Sequence, residues 1–354
     1  MSGKLKGFLL LLLVLGLVGV VYFGGLVSQD AALSVTSDPS GQKVYLDEVE
    51  VGETPYFSDT LKESNPDLRF GGFNQKIKLT AGALTVVNWV SGPLDVFSGG
   101  EVVWFSPSST GTELLVISQP GGQVYLNGEL LGESPLSKPL AEAEYELEIK
   151  KEGYFPRKLK VAVKAGFRLN VSAQLPLNPF PDQKKALSSP HSSLKVWSLA
   201  NGHPALLDDY PSWVRGVIFW SERDEDETTY HFYLAGDGKL YDGEGSELSV
   251  SSLAKTTETR NLAYLGNSNT LTSAASRTLT SLATRLYPVP VQVEILETGL
   301  GYLRVRSGPG TSYSQIGQAP TGSKYTYLGE QGDWFKISFE GKEGWVSKDY
   351  SRKL

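Results

Sequence analysis

Six side chains near the C-terminal end have types and spacing suited to holding a ligand. Arg304 and Arg306 alternate with aliphatic residues in Leu303-Arg304-Val305-Arg306, and Tyr313, Asp333, Trp334 and Trp345 follow. Aromatic rings on a surface stack against sugars or extended peptides, and a guanidinium fork pairs with a carboxylate through two parallel hydrogen bonds. This is the chemistry of binding rather than of bond-making. Leu303 and Val305 are expected to face a core, which turns Arg304 and Arg306 outward. Trp345, with Val305 and Ile337, is expected to contribute to that core as well.

Catalytic and metal-binding patterns elsewhere do not complete themselves. Glu222, Asp224 and Asp226 have the alternate spacing of a calcium loop. No Gly follows at the sixth position, however, and Tyr233 stands where the bidentate Glu belongs, so a solvated turn is the better reading. His191, His203 and His231 are scattered, with no His four residues on, and the chain has no Cys, so a zinc site is not expected. Ser192-x-x-Lys195 and Ser252-x-x-Lys255 match an acylation tetrapeptide by letter only. No Lys-Thr-Gly element, nucleophile elbow or phosphate loop accompanies them. No metal or other cofactor and no catalytic residue is assigned. The competing reading is a wall-associated enzyme with a cryptic active site in residues 194–287, recognisable by a pocket of convergent ionisable groups.

The elements that must position these residues start at a membrane. Phe8 to Val27 is an unbroken apolar and glycine run without charge. At about 1.5 Å per residue, roughly 20 helical residues span the hydrocarbon of a bilayer. Lys4 and Lys6 precede the run and the first charges after it are acidic, so the N-terminus is expected in the cytoplasm and the bulk outside the cell membrane. A cleaved signal peptide fits less well, because the exit Gly-Gly-Leu-Val-Ser-Gln-Asp-Ala-Ala is a poor match to a small-residue site of the A-x-A kind. The net charge of -6, about -8 without the two lysines, offers no basic stripe and excludes nucleic acid as a partner. Abundant Gly, Pro, Thr, Val and Tyr, with few amphipathic helical periods, favour a mainly β chain.

An internal repeat organises the first half. Pro39-Ser-Gly-Gln-Lys-Val44-Tyr45-Leu46-Asp47, then Gly52-Glu53-Thr54-Pro55, returns as Pro120-Gly-Gly-Gln-Val124-Tyr125-Leu126-Asn127-Gly128, then Gly132-Glu133-Ser134-Pro135. Val-Tyr-Leu reads as a short strand, and Asn-Gly as a type I′ hairpin turn. The second copy continues with Tyr145-Glu-Leu147-Glu-Ile149, Gly153-Tyr154-Phe155-Pro156 and two further alternating strands. These motifs resemble the PEGA domain of bacterial and archaeal surface proteins. The resemblance implies a small β-sandwich in an exported, multidomain setting, without catalytic residues. The first copy departs from the pattern: Glu48 replaces the turn Gly, the Gly-Tyr-x-Pro element is missing, and an insertion is expected around Asn65 to Phe73.

Pro- and Ser-rich segments at 176–193 and at Pro288-Val289-Pro290 mark linkers. Between them, the apolar run Trp213 to Ser221 reads as a strand paired with Tyr230 to Leu234 across the acidic Glu222 to Glu227. Leu271, Ala274, Ala275, Leu279, Leu282 and Leu286 recur at helical spacing. At the end, Leu303-Arg-Val-Arg-Ser-Gly-Pro, Gly332-Asp-Trp-Phe-Lys-Ile and Gly344-Trp-Val resemble the bacterial Src-homology-3-type domain. That resemblance implies a small five-stranded barrel of cell-wall-associated proteins, linked to peptidoglycan or peptide binding.

The expected order is a cytoplasmic tail (1–7), a transmembrane helix (8–27) and two small antiparallel β-sandwich, PEGA-like modules (33–106, divergent, and 113–175). A linker (176–193), a small α+β middle domain (194–287) and a Src-homology-3-like β-barrel (291–354) follow. The expected role is extracytoplasmic binding or scaffolding at the cell envelope, with peptidoglycan or an envelope protein as partner and the PEGA-like modules as spacer.

Overall fold

The Val-Tyr-Leu repeat folds the same way twice. The protein is seen in a computed structural model that describes residues 30–109, 111–223 and 228–354. The apolar run Phe8 to Val27 and the acidic residues 224–227 lie outside the described residues. Among the described residues no helix is long and apolar enough to cross a membrane.

The first copy contains β1 (Ala31–Asp38), β2 (Lys43–Leu46), β3 (Val49–Glu53), β4 (Tyr56–Leu61), β5 (Asp67–Phe70), β6 (Phe73–Lys76), β7 (Leu84–Val90) and β8 (Gly99–Pro107). The second contains β9 (Glu113–Gln119), β10 (Gln123–Leu126), β11 (Glu129–Glu133), β12 (Leu136–Pro139), β13 (Ala143–Lys150), β14 (Arg157–Val163) and β15 (Phe167–Gln174). In the first hairpin Val44 faces Gly52 and Tyr45 faces Glu50; in the second Val124 faces Gly132 and Tyr125 faces Leu130, with the same register shift. The turns match too. Asn127 and Gly128 have φ of 50° and 84°, and Asp47 and Glu48 have 46° and 66°. Glu48 therefore holds a left-handed conformation that a side chain disfavours by about 1 kcal/mol. Glu48→Gly is expected to raise unfolding stability by about that amount, read as a higher urea midpoint. An unchanged midpoint would show that the exposed turn is not strained.

The expected insertion at Asn65 to Phe73 is instead a shortened counterpart of the β13–β14 hairpin. β5 pairs with β2 and turns into β6, as β13 pairs with β10 and turns into β14. Gly71, at φ 46°, makes the tight turn that a longer loop makes in the second copy.

The two copies are not separate sandwiches. β8 pairs antiparallel with β7 on one side and with β15 on the other, giving one seven-stranded sheet in the order β12-β9-β15-β8-β7-β1-β4. Side chains alternate along β8, and it serves two cores. Val102 and Trp104 pack with Leu33, Val35, Val87 and Trp89. Val103 and Phe105 pack with Leu114, Val116, Leu169 and Val171. The small sheets β3-β2-β5-β6 and β11-β10-β13-β14 therefore cover opposite faces of the shared sheet. The wholly antiparallel expectation is corrected in one respect: β1 runs parallel to β7, and β9 to β15. Each pair is joined through its entire small sheet, a connection long enough for a parallel crossover.

The middle region holds β16 (Lys185–Leu187), β17 (Leu194–Ser198), α1 (Pro204–Leu207), α2 (Tyr210–Ser221), β18 (Phe232–Ala235), β19 (Leu240–Tyr241), β20 (Glu247–Leu248), β21 (Arg260–Leu265) and α3 (Ser273–Leu286). Its sheet order is β16-β17-β21-β18-β19-β20, with β17, β21 and β18 mutually parallel. This is an α/β arrangement, in which α2 lies on the crossover between β17 and β18, rather than an α+β one. The run Trp213 to Ser221 is thus a helix and not a strand. Asp209 caps it by accepting the Ser212 N–H, and Pro211 occupies its first turn. Trp213, Val214, Gly216 and Val217 face inward at helical spacing. A continuous apolar run cannot reveal that period by itself. The helix expected before Pro288 is present as α3, with Ala275, Leu279, Leu282 and Leu286 buried.

Residues 176–193 are not a loose linker. Leu177 and Phe180 are buried with Leu199, Leu206 and Trp213. The Trp213 indole N–H donates to the Pro179 carbonyl at 2.8 Å, and the Asn201 amide donates to the carbonyls of Asn178 and Phe180.

The chain divides into two compact units: Met1–Ser252 with Glu258–Thr280, and Leu253–Thr257 with Ser281–Leu354. The second contains β22 (Gln292–Ile295), β23 (Tyr302–Arg306), β24 (Gln315–Pro320), β25 (Lys324–Gln331), β26 (Trp334–Phe339), β27 (Lys342–Ser347) and β28 (Ser351–Lys353). They form an antiparallel sheet in the order β24-β23-β27-β26-β25-β22-β28. Its core holds Val293, Ile295, Val305, Ala319, Phe335, Ile337, Phe339 and Val346.

Candidate functional site

Alternation in the barrel strands sorts the six nominated residues. Val305 of β23, Phe335, Ile337 and Phe339 of β26, and Val346 of β27 point inward. Arg304 and Arg306, Trp334 and Trp345 occupy the opposite parity and share the outward face. Arg306 pairs with Trp345, and Trp345 with Lys336, so the three form a row across β23, β27 and β26. Trp334 pairs with Ser347, two residues along β27 from Trp345. Trp345 was expected in the core, and there the structure differs: Gly344 and Val346 turn inward, and the indole between them lies half-buried on the outside.

Tyr313 joins the same end of this face. Its ring lies on Gly308, where any Cβ would meet the ring at 2.3 Å, so the Ser-Gly-Pro-Gly turn needs glycine at that position. The Arg306 guanidinium donates to the Tyr313 carbonyl at 2.7 Å, which fixes its orientation. Tyr313 remains 48% exposed, a ring available to stack. Asp333 lies in the β25–β26 turn beside Trp334. It is exposed, and its carbonyl accepts the Lys348 N–H.

Lys336 was missed in the sequence. Its ammonium sits 5.8 Å from the centre of the Trp345 ring and pairs with Glu343 at 2.6 Å. The signal was present, since Lys336 shares the parity of Trp334 in Trp334-Phe335-Lys336-Ile337. A separate open depression of about 330 Å³, lined by Ser307, Ile316, Phe339, Glu340, Lys342 and Glu343, holds none of the nominated residues.

The middle region presents a different electrostatic picture. Burial pushes the Tyr233 hydroxyl up to about 12, and burial also raises Tyr210, Tyr241 and Tyr264. Burial, aided by Arg260, lowers the His231 imidazole, whose Nδ1 accepts the Asn261 N–H at 3.1 Å. These shifts keep the four phenols protonated and the His231 imidazole uncharged at neutral pH. Among the described residues no three His, Asp or Glu side chains gather as a metal set.

Comparison with known proteins separates the same parts. Residues 31–89 and 112–179 match the family model described as the PEGA domain, and residues 301–352 match that of the bacterial SH3 domain. A stretch of 48 residues is 50% identical to the "Putative N-acetylmuramoyl-L-alanine amidase YrvJ" of Bacillus subtilis (strain 168). The stretch is 14% of this chain and 9% of that protein, and it covers only the barrel. The chain thus spans less than a tenth of the length of that curated relative.

Proposed function

We propose that this chain, which carries two PEGA domains and a C-terminal bacterial SH3 domain, is a cell-envelope binding protein. The barrel holds peptidoglycan, and the paired PEGA domains serve as the structural spacer. The observation that carries this reading is the outward row Arg306, Trp345 and Lys336, with Arg304, Trp334 and Tyr313 around it. Rings and cations on one face of a rigid sheet suit a polymer of sugars and short peptides. The likeness to a putative N-acetylmuramoyl-L-alanine amidase supports the ligand class through the barrel alone, and that protein's activity does not transfer with it. The fused seven-stranded sheet supports the spacer role, since two domains that share β8 cannot pivot about a linker.

The run Phe8 to Val27, with Lys4 and Lys6 before it, supports a single-pass anchor that leaves the bulk of the chain outside the cell membrane. The full-length chain in mild detergent should co-sediment with purified cell walls. Trp345→Ala should weaken that binding roughly tenfold, the loss of one well-packed aromatic contact at a binding surface. Equal sedimentation after deletion of 291–354 would remove the barrel from the function.

A further inference from the structure

We infer that the outward face of β23, β27 and β26 recognises extended peptide bearing free carboxylates, with Arg304 and Arg306 each taking one. The inference rests on the proposed wall-binding role and names the part of the wall that is read. Arg304 and Arg306 are alternate residues of one strand, so their side chains leave the same face about 6.6–7 Å apart. That is the repeat of alternate side chains in an extended peptide. Side chains that leave the strand at that spacing can each take a separate carboxylate, whereas a single phosphate would draw both forks to one centre.

Neither arginine spends its charge on a carboxylate among the described residues. Lys336, Lys348 and Arg352 of the same domain are each paired with a carboxylate, Glu343, Glu330 and Glu294. Among the described residues Arg304 and Arg306 have no carboxylate partner. The bond from Arg306 to the Tyr313 carbonyl occupies one guanidinium nitrogen and holds the rest in place. A fork fixed before binding loses less side-chain entropy on engaging a ligand. Trp345, opposite Arg306 on the next strand and followed by Lys336 on the one beyond, supplies an apolar platform beside the acidic group that Arg306 takes.

Charge along the chain points the same way. Residues 291–354 carry 8 basic and 7 acidic side chains, whereas residues 30–290 carry 23 basic and 32 acidic ones. The domain that would take an acidic ligand is thus the one without an excess of negative charge.

The test uses the full-length chain in detergent and two peptides, Ac-Glu-Ala-Glu-NH2 and Ac-Gln-Ala-Gln-NH2. The arginine Nε–Hε resonances are followed by NMR during titration. In parallel, wild type and Arg304→Gln are sedimented with untreated walls, with walls whose carboxylates are amidated, and with walls stripped of phosphate polymers. The acidic peptide should shift the Arg304 and Arg306 resonances, and the amide peptide should not. Arg304→Gln and amidation should each weaken wall binding about tenfold, the scale of one charge-assisted hydrogen-bond pair, while phosphate stripping leaves it unchanged. Arg304→Lys, which keeps the charge and loses the fork, should fall between.

Wall binding that survives both Arg304→Gln and amidation, or that vanishes with the phosphate polymers, overturns the carboxylate assignment and leaves the wall-binding reading standing. Acidic-peptide shifts without sedimentation on any wall overturn the wall reading and keep the carboxylate site. Arginine resonances unmoved by either peptide overturn the site itself. Arg304 is exposed on the strand, so a thermal melt of the Arg304→Gln chain should superimpose on that of the wild type.

Discussion

Replacing Phe97 with alanine should lower the unfolding free energy of the chain by about 3–5 kcal/mol, the range for emptying a buried aromatic site. Phe97 ends the short 3-10 turn Asp95–Phe97 between β7 and β8, and its side chain is 1% exposed. The ring does not belong to either PEGA core. It enters the cluster of Leu177, Leu199, Trp213, Val214 and Val217, and it lies directly on Gly216 of α2. A Cβ at Gly216 would stand 2.4 Å from the ring, with two further ring atoms within 2.7 Å. Glycine in a helix interior costs about 1 kcal/mol relative to alanine, and here the gap it leaves is the socket for the ring.

The reverse change, Gly216→Leu, should therefore destabilise by about 3 kcal/mol, at the upper end for overpacking, because the buried ring has no free space to enter. The two changes exchange volume at one place. The double variant Phe97→Ala/Gly216→Leu should be more stable than the sum of the single losses by about 2 kcal/mol, within the range for residues in contact. Chemical denaturation of the four chains measures the cycle. Simple additivity would show that ring and helix do not share the site. A coupling of that size would also make α2 and the tandem PEGA sheet one cooperative unit, since Phe97 belongs to the connection into their shared strand.

How much of this was legible depends on the range over which each feature is decided. The hairpins were readable because their information is local: Asn127-Gly128 specifies the turn, and the proline after each return strand recurs at the same spacing. Even Glu48, the wrong residue for the turn, did not change it, because the flanking strands impose the register. The outward direction of Arg304 and Arg306 was readable for the same reason, from Leu303 and Val305 beside them. Trp345 lies outside the core because parity outweighs residue type; Val346 next to it claims the core, and a strand cannot turn both inward.

The helical period of Trp213 to Ser221 was hidden because apolar residues also line the partly buried side of α2. Its cap, Asp209 with Pro211 and Ser212, was the available signal. The shared strand is the feature least legible in the sequence. Val102-Val103-Trp104-Phe105 does not alternate, and a strand apolar on both faces must be covered on both. What no local pattern could supply was the partner on the far side, β15, more than sixty residues later.

That strand also carries the second large expected effect. Glu101→Leu should destabilise the chain by about 3 kcal/mol, because removing one partner strands a nearly buried charge. The Glu101 side chain is 4% exposed and that of Arg157 is 16% exposed. The carboxylate accepts the Arg157 Nε–H at 2.7 Å and the Asn88 amide at 3.0 Å. Asn88 in turn accepts the Thr36 hydroxyl at 3.2 Å. Thr36 and Asn88 belong to the first PEGA copy and Arg157 to the second, so the chain of polar contacts crosses the shared sheet through β8. Two charges of opposite sign taken together out of water are close to neutral in energy, and the asymmetry appears only when one is left behind. Glu101→Leu/Arg157→Met should accordingly recover most of the loss, whereas Arg157→Met alone should be nearly as damaging as Glu101→Leu. Equal stability of Glu101→Leu and wild type in urea would mean that water reaches Arg157 and that the pair does not tie the two domains. Recovery in the double variant would show that packing along β8, rather than the ion pair itself, holds the tandem together.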